Sequence, residues 1–385
     1  MIKYKISSPL PQQSQAAGDL AILEKVQSPV TSLAPTAISA SIIIVNFNGW
    51  EELKQCLTSL MEHNYDDTEI IVVDNSSTDA SPRKISELFP EVKIIRSSSN
   101  LGFGGGNNLG ATHALGQTLV FLNPDTIVTP GWLPPLLKAL DSDPKIGMAT
   151  SRILLKNFPN RINTCGNNIH ISGLAMCRGM GQPVGPIPEE GTEVVAAISG
   201  AAFAIRKDLF QALGGFDETF FLYMEDTDIS LRVRLGGYHI VCSHDSTVYH
   251  NYTLRFGPKK TFLQERNRYL MLLKCFRWST LALLLPVLIL AEIITWGFIL
   301  LRDRKNMRNK PLAYNWILTN WNQIMEKRVR TQESRQGVKD RDLLNLAITR
   351  IDYDQAYSGW IVKLAALVFD PLFGIMGGLA MGMWW

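Results

Sequence analysis

The chain has 385 residues, 46% of them hydrophobic and 19% charged, and its formal net charge at pH 7 is +3. This charge is too small to indicate a nucleic-acid-binding protein, and the low charged fraction suggests that part of the surface does not face water. The five cysteines form no CxxC pair, so the sequence predicts neither a disulfide framework nor a zinc site and favours a reducing cytoplasm.

The first segment, residues 1–39, is rich in Ser, Pro, Gln and Ala and has no sustained apolar periodicity. Such a composition buries too little apolar surface to fold, so it predicts a flexible extension. No apolar run long enough for a signal peptide follows Met1, which predicts that the bulk of the chain stays in the cytoplasm.

From Ser41 onward, short β-branched runs alternate with stretches of helical periodicity. Strands are predicted at residues 41–45, 69–73, 92–95 and 119–122. Helices are predicted at 53–61, 85–89 and 107–115. Successive strand–helix units are typical of an α/β fold with a doubly wound parallel sheet.

The second half of this region has a different pattern. Residues 151–191 contain many Gly, Asn and Pro and are predicted to be irregular. A strand at 194–199 and helices at 207–213 and 226–235 follow. These elements could not complete a regular nucleotide-binding sheet alone, so we expect them to form the acceptor side of one shared site.

Two apolar runs lie near the end of the sequence, at 279–301 and 360–385, and the first contains a single charge, Glu292. Each is long enough to cross a bilayer, which needs ~20 residues. Between them, residues 302–350 carry 12 Lys/Arg against 5 Asp/Glu, which predicts a cytoplasmic position. If the chain before residue 279 is also cytoplasmic, the first run cannot cross the membrane a single time. A re-entrant hairpin bent near Pro286, or a helix lying in the interface, would keep the chain on both sides of the run in the cytoplasm. The alternative is a buried helix of a soluble domain.

Polar side chains follow three of the predicted strands. Asn46 follows the first, Asp74 and Asn75 the second, and Asn123 and Asp125 the fourth. Ligands of open parallel sheets bind at the carboxyl ends of the strands, so these residues are expected to converge on one crevice. Asp74 is placed to accept hydrogen bonds from a base or ribose, and Asp125 to hold a divalent ion that bridges two phosphates. Turn or capping roles are the alternative for each.

The segment 101–108 contains a G-x-G beginning at Gly102, which invites a dinucleotide interpretation. The fingerprint requires a third glycine where this chain has Asn107, and the segment follows the third strand and not the first. NAD binding, and with it an oxidoreductase, is therefore disfavoured. The glycines instead predict close backbone approach to an anion at a helix that begins at Asn107.

Three carboxylates, Glu225, Asp226 and Asp228, cluster at the start of a predicted helix. Helix capping and an i,i+4 pair with Arg232 would account for some of them. Clustered acids also raise one another's pKa, which suits a general base that deprotonates a hydroxyl. His250, after a later strand, could complete the coordination of a metal held by Asp125, although a structural role is common for a single histidine.

Taken in order, the residues at 41–48, 71–79, 100–108, 123–125 and 225–228 resemble GT-A glycosyltransferase family 2, and most closely its bacterial rhamnosyltransferase-like members. The resemblance covers residues 41–256. It implies a Rossmann-like mixed sheet with helices on both faces. The predicted organisation is an extension at 1–39, a GT-A catalytic domain at 40–256, and a helical, membrane-associated region at 257–385.

The resemblance also implies roles for the site residues. Asp74 would contact the nucleoside of a dTDP- or UDP-linked sugar, Asp125 and His250 would bind Mg²⁺ or Mn²⁺, and Asp226 would be the general base. The residues expected on the donor side are Asn46, Asp74, Asn75, Gly102, Asn107 and Asn123. Gly215, Asp217 and Asp228 would border the acceptor pocket. The D-x-D position reads Asn-Pro-Asp, which weakens the expectation of strict metal dependence.

The function expected from these residues is inverting transfer of rhamnose or another deoxyhexose to a lipid-linked or polysaccharide acceptor at the cytoplasmic face of the plasma membrane. A UDP-hexose, UDP-N-acetylhexosamine or UDP-galactofuranose donor is the alternative within this class, because nothing in the motifs reads the sugar hydroxyls. From another class, a non-catalytic membrane scaffold would be expected to have lost its site acids, and here they are present.

Overall fold

The structure, a computed structural model, describes residues 38–63, 67–252, 258–355 and 359–382, all within one compact unit. The strands are β1 (Ala40–Asn46), β2 (Thr68–Asp74), β3 (Lys93–Arg96), β4 (Thr118–Leu122), β5 (Thr126–Val128), β6 (Ile146–Leu155), β7 (Phe158–Thr164), β8 (Asn167–Ile169), β9 (Ala175–Cys177), β10 (Thr192–Val194), β11 (Ala202–Arg206) and β12 (His239–His250). The helices of the first 250 residues are α1 (Trp50–Met61), α2 (Ser81–Leu88), α3 (Gly102–Thr112), α4 (Leu133–Ser142), α5 (Lys207–Ala212) and α6 (Glu225–Leu235).

The main sheet has the order β10-β12-β6-β11-β4-β1-β2-β3, with β5 paired to β12 and β7 to β6. Strands β1 to β4 are mutually parallel, as predicted, and β11 lies antiparallel between β4 and β6. The sheet is therefore mixed, in agreement with the predicted GT-A fold. Strands β8 and β9 form a separate hairpin.

Alternation along the strands creates a hydrophobic core on each face of the sheet. Ile42 and Ile44 point to the face covered by α1 and α4, whereas Ile43 points to the face covered by α3, α5 and α6. Successive strand residues face opposite sides, so apolar residues must occur at every position of a strand buried on both faces. The β-branched runs of the sequence are the consequence.

The second half departs from the prediction in two places. The expected strand at 194–199 is wrong: β10 ends at Val194, and β11 begins at Ala202. The run between them is buried and makes only an isolated bridge at Ala197. The region 151–191, expected to be irregular, contains the end of β6 and the strands β7 to β9. A short apolar run alone does not distinguish a strand from other buried backbone.

The remaining helices are α7 (Pro258–Cys275), α8 (Trp278–Leu283), α9 (Leu285–Arg302), α10 (Asn309–Thr319), α11 (Trp321–Glu333), α12 (Asp340–Leu344) and α13 (Trp360–Gly382). They share a third hydrophobic core, which also includes Leu231 and Leu235 of α6. The helices therefore pack directly on the element that carries the acid cluster. The predicted extension at 1–39 falls almost entirely outside the described residues, and the boundary at 256 stays a prediction.

The first apolar run breaks at Leu284, just before Pro286, into α8 and α9. A sharper bend of 114° follows, between Leu285–Leu301 and Arg304–Thr319. Glu292 holds α9 against its neighbours through Arg268 and Tyr269 of α7 and through Lys310 and Tyr314 of α10. The Glu292 carboxylate therefore joins α9 to α7 and α10 within the protein.

One helix in the described ranges, Trp360–Leu379 of α13, has by itself the length and composition of a membrane span, with a mean hydropathy of 1.6. The bent pair α9 and α10 meets the same criterion only when it is counted as one broken span. Only 11% of the apolar stretch of α13 is buried against the protein. An apolar helix with so little protein contact is typical of a membrane-associated segment.

Candidate active site

Asp125 and His250 lie side by side, although 125 positions separate them in the sequence. Thr126 of β5 pairs with His250 of β12, and this pairing leaves His250 Nε2 3.3 Å from Asp125 Oδ1. The Asn163 Oδ1 atom lies 2.8 Å from His250 Nδ1, and in the tautomer with its proton on Nδ1 this nitrogen donates to the amide oxygen. In the neutral ring, the lone pair of Nε2 then faces a carboxylate oxygen.

This arrangement fits a divalent cation. Asp125 Oδ1 is buried and accepts no hydrogen bond from any residue in the described part of the chain. Two ligand atoms of one octahedral Mg²⁺ lie about 3 Å apart, because each is about 2.1 Å from the ion. The two acceptor atoms therefore have the chemistry and the spacing of a metal site, and the hydrogen bond from Nδ1 is the outer-shell contact that commonly orients a histidine ligand. Asn123, in the first D-x-D position, lines the adjacent cavity.

Asp226 lies at the start of α6 and is held by groups from three segments. Its Oδ2 atom accepts hydrogen bonds from Asn167 Nδ2 at 3.3 Å and from the Gly200 amide at 3.2 Å. Its Oδ1 atom accepts one from the Thr227 amide at 2.7 Å. Burial raises the pKa of Asp226, and the donated hydrogen bonds limit the rise. A fixed carboxylate with a raised pKa is suited to accept a proton.

Glu225, the neighbouring acid, is buried, and its Oε2 atom has no hydrogen-bond partner among the described residues. Burial first, and the charge of Asp226 second, raise the pKa of Glu225 from 4.5 to about 8. Glu225 is therefore protonated at neutral pH, and Asp226 is the acid of the pair that is available as a base.

The raised pKa of Glu225 predicts a particular pH dependence of stability. The folded state binds this proton more tightly than the unfolded state between pH 4.5 and about 8, so stability falls as pH rises through this range. Glu225→Gln should remove this contribution, and the melting temperature of the variant relative to wild type should rise from pH 5 to about 8. Calorimetric scans at several pH values measure this difference in melting temperature. If the melting temperatures of the two proteins change equally with pH, the raised pKa of Glu225 is wrong.

The backbone before the acid cluster is strained. Phe221, Tyr223 and Met224 have φ values of 61°, 70° and 70°, a region that side-chain-bearing residues rarely adopt. Asn267 of α7, which is fully buried, donates from Nδ2 to the carbonyls of Phe220, Leu222 and Tyr223 at 3.0, 3.0 and 2.7 Å. This one amide group fixes the conformation from which Glu225 and Asp226 project.

Asp217 and Asp228, predicted on the acceptor side, lie elsewhere. Lys274 Nζ is 2.6 Å from Asp217 Oδ2 and 2.9 Å from Asp228 Oδ1, and Arg232 Nε is 2.8 Å from Asp228 Oδ2. All four side chains are largely buried, and the charge of Lys274 holds the pKa of Asp217 well below its usual range despite burial. Asp228 joins α6 to α7, Asp217 joins the segment that follows α5 to α7, and neither acid lines the cavity. The Gly215 carbonyl accepts from Arg232 Nη2, which places this residue in the same network.

Asn46 and Asp74 occupy adjacent positions at the ends of β1 and β2, as predicted from the parallel sheet. Both are buried, and Asn46 Oδ1 has no hydrogen-bond partner among the described residues. Asp74 Oδ1 accepts from the Ser77 amide at 3.2 Å. Asn75 uses its side chain to hold the segment before α3, accepting from the Leu101 amide at 2.9 Å. Asn75 is thus a support for the loop that follows β3.

The loop that follows β3 differs from the prediction. Helix α3 begins at Gly102 and not at Asn107, and Asn107 is a buried mid-helix residue whose amide donates to the Phe103 carbonyl at 3.0 Å. A Cβ at Gly106 would lie 2.7 Å from Val45, so this glycine serves close helix–sheet packing. Gly102, with φ of +72°, lies against the Phe221 carbonyl. The structure therefore gives these residues packing contacts where anion binding was expected.

A cavity of about 520 Å³ joins the two groups of polar residues. Asn123 and His250 line one side, and Glu225 and Asp226 line another. The predicted base and a predicted metal ligand therefore face one volume, which is large enough for a sugar and its acceptor group.

Sequence reasoning missed the residues that orient these groups. Asn163 supports His250, Asn167 supports Asp226, and Asn267 supports the strained segment. In the sequence these three asparagines lie 44 to 87 positions from the residues that they support, so no local sequence spacing could predict the contacts. The only signal was the unusual Asn content of residues 151–191.

A second group of possible metal ligands lies outside the cavity. The ligand atoms of Cys165, Cys242 and His244 all lie within 4.8 Å of one another, and all three residues are buried. The sequence predicted no zinc site because these cysteines are far apart along the chain. The fold brings them together between β7 and β12, so sequence spacing was not sufficient to exclude such a cluster.

Comparisons with known proteins agree with this architecture. The sequence profile of glycosyl transferase family 2 matches residues 41–213. The O-antigen biosynthesis protein RfbC of Myxococcus xanthus is 28% identical over 220 residues, which cover 54% of this chain but only 17% of RfbC. An N-acetylglucosaminyl-diphospho-decaprenol L-rhamnosyltransferase of Mycobacterium tuberculosis is 25% identical over 239 residues, covering 54% of this chain and 75% of the relative.

Solved structures share the fold. GalNAc-T7, crystallised with UDP, GalNAc and Mn²⁺, superposes with a TM-score of 0.52 at 22% identity, covering 62% of this chain and 48% of the other. Residues 1–349 of Staphylococcus aureus TarS superpose with a TM-score of 0.51 at 14% identity, covering 89% and 92%. The profile match over residues 41–213, the mixed sheet and these relatives identify a glycosyl transferase family 2 domain of the GT-A fold in this chain.

Proposed function

We propose that this glycosyltransferase moves a deoxyhexose such as rhamnose, with inversion, from a dTDP- or UDP-linked donor to a lipid-linked or cell-surface polysaccharide acceptor. The observation that carries the proposal is that Asp226, at the start of α6, and His250, at the end of β12, line one cavity. The names of the rhamnosyltransferase and O-antigen relatives support the choice of sugar and of acceptor class.

The cavity supports direct displacement. Asp226 removes the proton of the acceptor hydroxyl as its oxygen attacks the anomeric carbon, and the bond to the nucleoside diphosphate breaks on the opposite face. Asn167, Gly200 and Thr227 hold the carboxylate in one orientation. Asn46 and Asp74, at the neighbouring strand ends, are proposed to bind the nucleoside.

Asp125 and His250 are the residues proposed to hold Mg²⁺ or Mn²⁺, with Asn123 adjacent. When bound, the ion would offset the negative charge that develops on the departing diphosphate. The protein contributes the orientation of both ligands, through the Asn163 hydrogen bond and the β5–β12 pairing.

The proposed location is the cytoplasmic face of the plasma membrane. The exposed apolar surface of α13 supports membrane association, and the 12 Lys/Arg of residues 302–350 favour the cytoplasmic side. Several of these basic groups also pair within the protein, such as Lys310 with Glu265 and Lys327 with Asp217.

A panel of nucleotide sugars tests the donor assignment. Ligands that bind only the folded state raise the melting temperature by mass action. With Mn²⁺ present, dTDP-rhamnose is expected to raise it more than UDP-glucose, UDP-N-acetylglucosamine or UDP-galactofuranose does. Chelation with EDTA should remove most of the shift, and so should Asp125→Asn. A larger shift with one of the UDP-sugars would identify the alternative donor, and no shift with any would favour the scaffold.

A further inference from the structure

The cavity that contains Asp226 has an apolar side formed by the C-terminal helices. Ile294, Phe298 and Ile299 of α9 and Val362 of α13 line it. These side chains share one volume with Asp226 and His250. The same cavity is also lined by polar and aromatic groups, among them Tyr223, Tyr252 and Gln264, so it offers an apolar surface in addition to groups that could bind a sugar.

The same two helices expose apolar side chains on their outer faces. On α9 Leu285, Ile289, Ile293 and Leu300 are exposed as one set, and Leu301 is exposed at the end of the helix, outside this set. On α13 they are Leu364, Leu367, Val368, Leu372, Ile375 and Leu379. Within each set most residues are three, four or seven positions apart, and this spacing places the set on one face of its helix. A soluble protein rarely exposes an apolar surface of this extent, so these faces are suited to lipid.

Each helix therefore contacts the cavity on one face and presents an apolar surface on another. Helices α9 and α13 pack on each other. A hydrocarbon chain that leaves the cavity along them would remain in apolar surroundings from the catalytic centre to the bilayer.

A cationic group lies on the cavity wall beside the acids. Lys260, in the first turn of α7, lines the cavity, and its Nζ lies 5.1 Å from the ring centroid of Tyr223, two residues before Glu225. The N-terminus of this 18-residue helix adds favourable partial charge for an anion. A phosphate group placed here would lie between the catalytic acids and the apolar wall.

We propose that the acceptor is a lipid phosphate or diphosphate with a long hydrocarbon tail, and that the cavity binds all three of its parts. Its sugar hydroxyl lies at Asp226, its phosphate beside Lys260, and the start of its tail against Ile294, Phe298 and Val362. This inference rests on the proposed function and selects the lipid-linked acceptor over a free polysaccharide.

Photo-crosslinking with the full-length protein in detergent tests the proposal. The probe is decaprenyl phosphate with a diazirine on the isoprene unit nearest the phosphate. We expect labelled peptides from α9 and α13, and competition by unlabelled decaprenyl phosphate. Inorganic phosphate should compete only at far higher concentration, because it makes none of the apolar contacts.

Matched variants separate the cavity from the outer surface. Ile294→Gln and Val362→Thr place polar groups in the cavity wall and should lower the probe affinity about tenfold, which corresponds to about 1.4 kcal/mol. Ile289→Gln and Val368→Thr make the same changes on the outer faces and should leave the affinity unchanged, while reducing the fraction of protein that sediments with membranes. Lys260→Met should weaken binding of decaprenyl phosphate but not of decaprenol.

Two results would overturn the tail site: labelling that the cavity variants do not reduce, or labelling that inner and outer variants reduce equally. Donor binding and donor hydrolysis are measured on the same preparations. If donor binding and donor hydrolysis are intact while the probe labels the cavity variants as strongly as it labels wild type, the proposed acceptor is wrong and the proposed transferase function is unaffected. If the protein neither binds nor hydrolyses any donor, the proposed function itself fails.

Discussion

Replacing Asp226 with asparagine is expected to lower kcat by at least about 10³-fold, while the dissociation constant of the donor changes by less than about threefold. Asparagine preserves the shape of the side chain, and its one oxygen can still accept the hydrogen bond from the Thr227 amide, whereas its NH₂ group cannot accept from Asn167 or Gly200. It cannot accept a proton from the acceptor hydroxyl. Single-turnover transfer rates, together with donor titration by calorimetry, measure the two quantities separately.

The neighbouring acid provides the control. Because Glu225 is protonated at neutral pH, Glu225→Gln reproduces its hydrogen-bonding state and should retain most of the wild-type kcat at pH 7. Loss of activity in both variants would indicate that the two acids act as one unit. Retention of more than about one tenth of the wild-type kcat by Asp226→Asn would sink the base assignment.

Asn267→Asp is expected to reduce kcat about 100-fold with little change in KM for the donor. Aspartate preserves the acceptor for Arg266 Nε but removes the NH₂ group that donates to the carbonyls of Phe220, Leu222 and Tyr223. The Phe220 carbonyl keeps the hydrogen bond from Arg266 Nη2, but the Leu222 and Tyr223 carbonyls lose their donor at about 1–3 kcal/mol each, so the strained segment should relax. A displacement of Asp226 by about 1 Å is sufficient for the loss of rate.

Asn320→Asp is a matched control, because this amide also donates to a backbone carbonyl, that of Trp316 at 2.9 Å, in α10. It should lower the melting temperature slightly and leave kcat unchanged. If Asn267→Asp lowers the melting temperature but retains the wild-type kcat, then Asn267 stabilises the fold without positioning the acids.

The convergence of Asn46, Asp74 and Asn123 at one sheet edge could be predicted because parallel strands end at the same edge. The i,i+4 pair of Asp228 with Arg232 was also expected from the sequence, but its contact with Lys274 was not, because Lys274 belongs to another helix and lies 46 positions away. The acid cluster in the sequence looked uniform. Burial and pairing distinguish its members: Asp228 is paired with cations, Glu225 is protonated, and Asp226 faces the cavity.

The C-terminal helices could also be predicted only in part from the sequence. Composition indicated a membrane-associated tail at 279–301 and 360–385, and the exposed face of α13 agrees with it. Composition could not indicate that α9 and α13 also line the catalytic cavity, because this depends on how α7 orients them. Contacts such as Arg268 with Glu292 decide that placement, and they join helices whose sequences carry no common pattern.

For anyone who wishes to alter the sugar that this enzyme transfers, Gly102 is a position to leave untouched. Any β-carbon there would lie 2.1 Å from the Phe221 carbonyl oxygen, within the strained segment before the acid cluster. The start of α3 is thus in direct backbone contact with the segment that precedes the acid cluster, also through the hydrogen bond from the Phe103 amide to the Phe221 carbonyl. Mutant libraries that spare this contact would keep that segment in its observed conformation.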